Sequence, residues 1–353
     1  MTWLMLVFGL ALLIIGAELL VKGASRLATS FGIPALVVGL TVVAFGTSAP
    51  ELAVSVKAAF SGQAELAIAN VVGSNTFNIL FILGLAALIM PLMVSQQLIR
   101  QDVPIMIGVS IIALLMIRNG SIGKVEAAIL VLGVIVYTIF LFYQGKKTGI
   151  DASAVSTETP KPVWQNLLFI VVGLVLLVLG ARWLVQSAVE IASSFGISEA
   201  VIGLTIVAAG TSLPEVMTSI VATIKGERDI AIGNVVGSNI FNILAVLGLS
   251  GLLSPVPLLA SEQLAQIDVP VMLAVAVLCL PLFFLGSSLN RFEGFLFLLI
   301  YIGYVWFTVA MALSLDYLPQ LQAVLLYGLA PLVGIYVLLC LITEQIKRRT
   351  ASR

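Results

Sequence analysis

The sequence predicts an all-α polytopic membrane protein with two inverted-topology repeats of five transmembrane helices plus an extra C-terminal helix. Three observations predict this fold: the apolar composition, an internal duplication, and the odd number of apolar spans in each copy. Of the 353 residues, 61% are hydrophobic and 10% are charged, whereas a soluble domain carries roughly 25% charged residues. The chain is therefore expected to fold within the lipid bilayer and to cross it several times.

Eleven apolar runs approach the length of ~20 residues that crosses a bilayer as a helix. Their approximate cores are 3–21, 35–59, 65–90, 103–117, 125–143, 164–186, 199–223, 229–252, 269–285, 294–314 and 321–342. The first run lacks the basic leader and small-residue cleavage site of a signal peptide, so we interpret it as a retained span. The one clearly polar stretch, 144–162, is too short for a domain and is interpreted as a linker.

The chain contains a duplication. The segment VVGLTVVAFGTSAPE at 37–51 returns as VIGLTIVAAGTSLPE at 201–215, with eleven of fifteen residues identical at an offset of 164. At the same offset, IANVVGSNTFNIL at 68–80 matches IGNVVGSNIFNIL at 232–244 at eleven of thirteen positions. Each copy holds five spans, so the second copy must enter the membrane from the opposite side, which is the arrangement of alternating-access transporters.

The distribution of basic residues predicts the orientation. The predicted parts are a first repeat at 1–143 with its motif at 37–80, the linker at 144–162, a second repeat at 163–314 with its motif at 201–244, an additional helix at 321–342 and a basic tail at 343–353. With the N-terminus outside, thirteen Lys and Arg residues fall on the cytoplasmic side and four fall outside. Because short cytoplasmic loops are enriched in these residues, we expect the linker and tail to be cytoplasmic, in a plasma (inner) membrane.

Each repeated motif places a helix breaker and a charge inside an apolar span. Pro50 lacks an N–H and its ring clashes with the preceding turn, so the helix is expected to open over 44–47 and to release carbonyl oxygens. Glu51 follows Thr47 and Ser48 at helical spacing, which predicts carbonyls, hydroxyls and a carboxylate on one face. An intramembrane carboxylate is expensive and indicates a functional site.

The next helix of each copy adds neutral oxygens. Ser74 and Asn78 are one helical turn apart, and Asn75 could either ligate or join two helices, as could its counterpart Asn239. Superposing the inverted copies predicts that Glu51 meets Glu215 at the midplane. Two carboxylates with carbonyls and hydroxyls fit Ca²⁺, which takes six to eight oxygens in forgiving geometry. Because two empty carboxylates repel each other, the unloaded site is expected to hold protons or monovalent cations, which makes exchange natural.

Several classes of function are disfavoured. The chain has no histidine, its formal net charge is zero, and its two cysteines lie in apolar runs. These facts exclude His-based zinc sites and triads and give no basic face for nucleic acid. The carboxylates Asp102 and Asp268 precede Val-Pro and are interpreted as helix N-caps. We expect no enzyme, no catalytic residue and no cofactor.

The motifs GTSAPE at 46–51 and GTSLPE at 210–215 are each followed by a GSN-x-F-N helix. They resemble the α-repeats of the sodium/calcium exchanger (cation/Ca²⁺ antiporter, CaCA) family, and the chain resembles a prokaryotic member of it. The resemblance covers residues 1 to about 314. It implies ten helices in two inverted halves, with helices two, three, seven and eight forming the ion site.

By this resemblance Glu51 and Glu215 bind both Ca²⁺ and Na⁺, and the carbonyls of Thr47 and Thr211 join the Ca²⁺ site. The remaining Na⁺ ligands that it implies are Ala44, Ser48, Ser74, Asn78, Ala208, Ser212, Ser238 and Asn242.

The chain departs from the family pattern in three places. Many relatives carry aspartate where Asn242 stands, whereas both Asn78 and Asn242 are neutral here. The neutral amides weaken the case for a potassium requirement. Loading with several Na⁺ is expected to leave positive charge uncompensated, which favours electrogenic transport and leaves the stoichiometry open. The linker is too short for the regulatory calcium-binding domains of animal exchangers. The eleventh span has no counterpart in the ten-helix pattern.

The prediction is a secondary antiporter that exchanges Na⁺ for Ca²⁺ by alternating access, with Ca²⁺ extrusion driven by Na⁺ entry and a functional monomer. The alternative is an H⁺/Ca²⁺ antiporter, or another cation antiporter, on the same fold. A non-transporting ion sensor or scaffold is the remote alternative.

Overall fold

The computed structural model describes residues 2–118, 120–148, 162–196, 202, 206, 208–284 and 286–351. The helices are α1 (Thr2–Phe31), α2 (Ala35–Thr47), α3 (Ala49–Phe60), α4 (Ala64–Ile89), α5 (Leu98–Arg118), α6 (Lys124–Thr148), α7 (Val163–Ser194), α8 (Ala208–Gly210), α9 (Leu213–Ile224), α10 (Arg228–Leu253), α11 (Leu264–Phe284), α12 (Arg291–Ala312) and α13 (Leu318–Thr343, continuing to Ala351).

Within the described ranges, nine helices are long and apolar enough to cross a membrane, and α2 and α3 form one further span bent by 45°. The predicted all-α membrane fold is thereby confirmed. The predicted span at 199–223 lies partly outside the described residues, which there comprise α8 and α9 and little else. Helix α6 continues to Thr148, five residues into the predicted linker, and 149–161 lie outside the description.

Corresponding elements of the two copies share the same irregularities. The break between α2 and α3 at Ser48 has its counterpart at Ser212, between α8 and α9. A wider π turn begins at Asn78 in α4 and at Asn242 in α10. A second pair of π turns opens α5, at Leu98–Asp102, and α11. The duplication in the sequence is therefore a duplication of local backbone geometry.

Two short strand pairs join the copies. Strand β1 (Leu92–Met93) pairs with β4 (Ser288–Leu289), and β2 (Ser121–Ile122) pairs with β3 (Leu258–Leu259), both antiparallel. Each pair ties a connection of one repeat to a connection of the other, so the paired connections lie on the same face of the protein. This pairing agrees with the inverted topology, in which those connections emerge on a common side.

Burial divides the helices into a centre and a rim. The most apolar stretch of α10 is completely buried, and that of α4 is mostly buried, whereas only 6% of that of α13 is buried. The additional helix contacts α12, where Tyr336 Oη donates to Glu293 Oε1 at 3.4 Å. The motif helices therefore form the interior of the protein, while the helices outside the motifs face the surrounding lipid.

Asp102 and Asp268 are not N-caps. Their helices begin earlier, at Leu98 and Leu264, so both aspartates lie inside continuous helix. Tyr137 Oη donates to Asp102 Oδ1 at 3.3 Å, and Tyr304 Oη donates to Asp268 Oδ1 at 2.7 Å. The cap interpretation was wrong because a helix can start before the X-Pro step through a π turn, and the carboxylate then pairs with a tyrosine of the next helix.

Helices α1 and α7 cross at glycines. Gly9 and Gly16 of α1 face Gly180 and Gly173 of α7, and their backbones approach directly. A Cβ atom added at Gly173 would lie 2.7 Å from the Gly16 carbonyl oxygen and from the Leu20 nitrogen. Because backbone atoms cannot give way as a flexible side chain can, these positions require glycine.

We expect the substitution Gly173→Val to separate α1 from α7 and to destabilise the purified protein by about 1–3 kcal/mol, since overpacking forces the backbone apart. Thermal unfolding followed by tryptophan fluorescence measures this effect. The matched control is Gly108→Ala in α5, where an added Cβ meets no atom within 4 Å. A melting temperature lowered equally by both variants would contradict the glycine-contact account.

Candidate cation site

The first motif breaks its helix at a single residue. Helix α2 ends at Thr47, Ser48 has φ −78° and ψ 6°, and α3 begins at Ala49 with Pro50 in its first turn. The predicted opening over 44–47 was one residue early, since those residues are still helical. Proline fits the first turn of a helix, where its missing N–H has no intrahelical partner, so the chain turns just before it.

The second motif has the same geometry. Ser212 has φ −88° and ψ 7°, and Pro214 and Glu215 lie in the first turn of α9. Both glutamates thus stand at a helix N-terminus, where the helix dipole favours a negative charge. The sequence G-T-S-x-P-E therefore encodes a broken helix that presents a carboxylate at the break.

The two breaks meet across the repeats. Ser212 Oγ donates to Glu51 Oε1 at 2.8 Å, and Ser48 Oγ donates to Glu215 Oε1 at 3.1 Å. Both glutamates are fully buried. Each carboxylate is thus held by the serine of the other copy, which is the juxtaposition that the inverted superposition predicts.

The neighbouring helices complete this contact. Ser212 Oγ also lies 3.2 Å from Ser74 Oγ of α4. On the other side, Ser238 Oγ of α10 lies 3.5 Å from the carbonyl oxygen of Ala44. Serines of α4 and α10 therefore reach the broken helix of the opposite copy, although the structure leaves the role of each in ligation a prediction.

The two threonines are not equivalent. Thr47 Oγ1 donates to Asn234 Oδ1 at 3.0 Å and lies 3.3 Å from the Ala44 carbonyl oxygen. The hydroxyl of Thr211 is buried and has no hydrogen-bond partner among the described residues. Ala208 lies in α8, and its side chain is outside the description.

Asn70 and Asn234 are structural supports that the sequence reasoning missed. Asn70 Nδ2 donates to the Glu51 carbonyl oxygen at 3.2 Å and to Ser55 Oγ at 2.9 Å. Asn234 repeats both contacts, with Glu215 at 3.4 Å and Ser219 at 3.0 Å. Their recurrence at the offset of 164, in IAN and IGN, was the available signal. Each asparagine fixes the backbone that carries the carboxylate.

Besides the Thr211 hydroxyl, four buried carboxylate and amide oxygens in this region have no hydrogen-bond partner among the described residues. They are Glu51 Oε2, Glu215 Oε2, Asn78 Oδ1 and Asn242 Oδ1. Buried polar atoms are nearly always paired, so a group of unpaired acceptors requires an explanation. All four are acceptors, so a hydrogen-bond donor or a cation would satisfy them.

The electrostatics also call for a cation. Glu51 and Glu215 repel each other across the contact. Within the described ranges, neither carboxylate forms an ion pair with a Lys or Arg side chain, whereas Lys225 and Glu18, both partly exposed, pair at 3.5 Å. Those ranges contain no cluster of three or more His, Cys, Asp or Glu residues that could hold a metal. The site therefore consists of two carboxylates and neutral oxygens, a composition suited to Na⁺ or Ca²⁺ and unsuited to zinc.

Buried carboxylates at paired helix breaks, on a duplicated membrane-spanning scaffold, define a class of protein: a multi-pass ion transporter. The family model described as sodium/calcium exchanger protein matches residues 1–143 and 165–310. The chain belongs to this family. It is a cation/Ca²⁺ antiporter and not an enzyme.

Individual relatives cover nearly the whole chain. The putative antiporter CaxA of Alkalimonas amylolytica is 39% identical over 84% of this chain and 95% of its own length. The sodium/calcium exchanger MaX1 of Methanosarcina acetivorans is 32% identical over 86% of this chain and 97% of its own length. A structure of the sodium-calcium exchanger NCX_Mj, soaked with 2.5 mM Na⁺ and 0.1 mM Ca²⁺, superposes with a TM-score of 0.74 at 32% identity, covering 88% of this chain and 97% of that one.

Proposed function

We propose that the protein exchanges Na⁺ for Ca²⁺ by alternating access, and that it expels Ca²⁺ with the energy of Na⁺ entry. The observation that carries this proposal is the pair Glu51 and Glu215, fully buried, each held by one serine hydroxyl and each with an oxygen that has no partner among the described residues. A permanent cationic partner would make the site structural. Carboxylates that lack one are suited to an exchangeable ion.

Calcium is the divalent ion that this ligand set favours. Two carboxylates neutralise one divalent charge, and the surrounding hydroxyl, amide and carbonyl oxygens supply the further ligands that Ca²⁺ accepts in irregular geometry. Magnesium demands a strict octahedron and keeps its waters, for which a fully buried site leaves little room. The names of MaX1 and NCX_Mj, both sodium/calcium exchangers, support the same substrate.

Sodium competes for the same oxygens in this proposal. It uses Glu51 and Glu215 together with the neutral oxygens of Ser48, Ser74, Asn78 and their counterparts in the second copy, and it shares both the carboxylate and the amide oxygens with calcium. Because an empty pair of carboxylates is costly in the bilayer, at ~2.5–3.5 kcal/mol per charged group, the site changes sides only when loaded. Because the empty site does not change sides, each crossing carries Na⁺ or Ca²⁺, and the two ion flows are coupled.

Proton coupling is the second candidate. It uses the same two carboxylates, which would then be neutralised by protons rather than by sodium on the return step. The neutral amides at positions 78 and 242 leave room for this alternative, since they put no further carboxylate beside Glu51 and Glu215 at those positions. The two candidates differ in the ion gradient that drives calcium uptake.

Calcium uptake tests the proposal. In Na⁺-loaded proteoliposomes diluted into Na⁺-free buffer, radioactive Ca²⁺ is expected to accumulate, and to accumulate little when Na⁺ is equal on both sides. The variants Glu51→Gln and Glu215→Gln are each expected to lose at least about 100-fold in initial rate, because each leaves the bound charge half-compensated in a buried site.

The matched control is Glu65→Gln, an exposed acidic residue at the start of α4, which is expected to transport as the wild type does. Uptake that ignores the Na⁺ gradient and follows an imposed pH gradient would replace sodium with protons as the coupling ion. Uptake that survives both buried Glu→Gln changes would remove the proposed site.

We also propose that the protein lies in the plasma (inner) membrane. Its N-terminus then faces the outside of the cell, and its C-terminal tail faces the cytoplasm. Green fluorescent protein fused after Arg353 is then expected to fluoresce, since it matures inside the cell. Alkaline phosphatase is expected to be inactive there. It is expected to be active when fused after Asn119, because the connection between the predicted spans 103–117 and 125–143 lies outside if the N-terminus does. The opposite pattern of activities would reverse the orientation and leave the fold unchanged.

A further inference from the structure

Four asparagines join α4 to α10 at the centre of the protein. Resting on the proposed function above, we propose that Asn75 and Asn239 are positioning residues that hold the amides of Asn78 and Asn242 with their oxygens, and not their NH₂ groups, toward the transported cation. Asparagine has one acceptor end and one donor end, so its orientation decides whether it attracts or repels a cation.

The direction of this network is set by a backbone carbonyl. Asn75 Nδ2 donates to the carbonyl oxygen of Asn239 at 3.1 Å. A backbone carbonyl can only accept, so the end of the Asn75 amide that faces it must be the NH₂ group. The other end of the amide is therefore the oxygen. No choice between the two ends of the amide remains at this position.

The fixed orientation passes to the next residue. Asn75 Oδ1 accepts from Asn242 Nδ2 at 3.0 Å. Because an oxygen requires a donor, the NH₂ of Asn242 is committed to this bond, and Asn242 Oδ1 is left buried with no partner among the described residues. One backbone carbonyl thus determines which atom of Asn242 is available to an ion.

The same two hydrogen bonds recur with the roles of the two copies exchanged. Asn239 Nδ2 donates to the Asn75 carbonyl oxygen at 3.3 Å, and Asn78 Nδ2 donates to Asn239 Oδ1 at 3.1 Å. Asn78 Oδ1 is then the unpartnered atom. Each repeat therefore supplies the residue that orients the other repeat's ligand.

The freed oxygens belong to the cation site by their place on the helix. Asn78 stands one helical turn after Ser74, whose hydroxyl meets the Ser212–Glu51 pair. Asn242 stands one turn after Ser238, which reaches the Ala44 carbonyl. Residues one turn apart share a helix face, so both amide oxygens lie on the face that carries the site.

Adhesion between helices is the competing role for Asn75 and Asn239, and a carboxylate separates the two roles. Both oxygens of an aspartate accept, so an aspartate at position 78 presents an acceptor to the cation in either orientation and needs no orienting partner. If Asn239 only joins helices, its removal weakens Ca²⁺ binding equally whether position 78 carries asparagine or aspartate. If Asn239 orients position 78, its removal is harmful only beside asparagine.

The experiment is a double-variant cycle on the full-length protein, with equilibrium binding of radioactive Ca²⁺ as the readout and thermal unfolding measured in parallel. We expect Asn239→Ala to weaken Ca²⁺ binding by about tenfold, the loss of one charge-directed hydrogen-bonding group. In the background of Asn78→Asp, Asn239 Oδ1 faces a carboxylate oxygen in place of the Asn78 donor, so the same change is expected to leave Ca²⁺ binding unchanged or to strengthen it. The mirrored cycle pairs Asn75→Ala with Asn242→Asp.

The matched control is Thr76→Val on α4, the helix that carries Asn75 and Asn78. It removes a buried hydroxyl that donates to the Val72 carbonyl oxygen at 3.0 Å, outside the network. It is expected to leave binding within about twofold of wild type. An equal loss for Asn239→Ala in both backgrounds, or no loss beside Asn78, overturns the positioning role while wild-type binding stands. Wild-type binding without Na⁺-dependent flux overturns the sodium coupling alone, and a wild type that binds no Ca²⁺ overturns both.

Discussion

Two carboxylates buried in a bilayer, with no cationic side chain paired to them among the described residues, are the constraint on which the rest of the structure depends. Each charged group costs ~2.5–3.5 kcal/mol at the membrane centre, and the two repel each other. The helix breaks at Ser48 and Ser212 moderate that cost, because each break offers a hydroxyl donor and a helix N-terminus to a glutamate. The remaining carboxylate oxygens have no donor among the described residues, and in the proposed function an exchangeable cation supplies the missing charge. Structure and transport therefore follow from one unfavourable arrangement.

The inverted duplication makes this arrangement possible with a short motif. Neither copy satisfies its own glutamate: Ser48 serves Glu215, and Ser212 serves Glu51. The asparagines follow the same rule, since Asn75 and Asn239 each bond to the backbone of the other copy. A site whose two halves hold each other in place is symmetric about the membrane midplane, which suits a protein that must present the same ligands to both sides.

Much of this account could be predicted from the sequence, because the signals are local and repeated. Glu51, Pro50 and their counterparts at an offset of 164 predicted broken helices with carboxylates. Contacts between copies were harder to predict. Asn70 and Asn234 recur at the offset of 164, but they were missed because a sequence repeat does not show that a side chain bonds to the backbone of a preceding helix. Asp102 and Asp268 were misassigned as caps because a π turn extends the helix beyond the Asp-Val-Pro step, and the tyrosine partners lie over 30 residues away. The duplication also predicted that the second copy breaks its helix as the first does, and the backbone angles at Ser212 agree with those at Ser48.

The most direct test of the account is whether Na⁺ displaces Ca²⁺ from the purified protein at constant ionic strength, with choline as the replacement cation so that screening is unchanged. The account predicts that rising Na⁺ removes all bound radioactive Ca²⁺, with a displacement curve steeper than one-for-one competition, because several neutral oxygens beside Glu51 and Glu215 admit more than one monovalent ion. Calcium that remains bound at saturating Na⁺ would contradict the claim that both ions use the same pair of carboxylates.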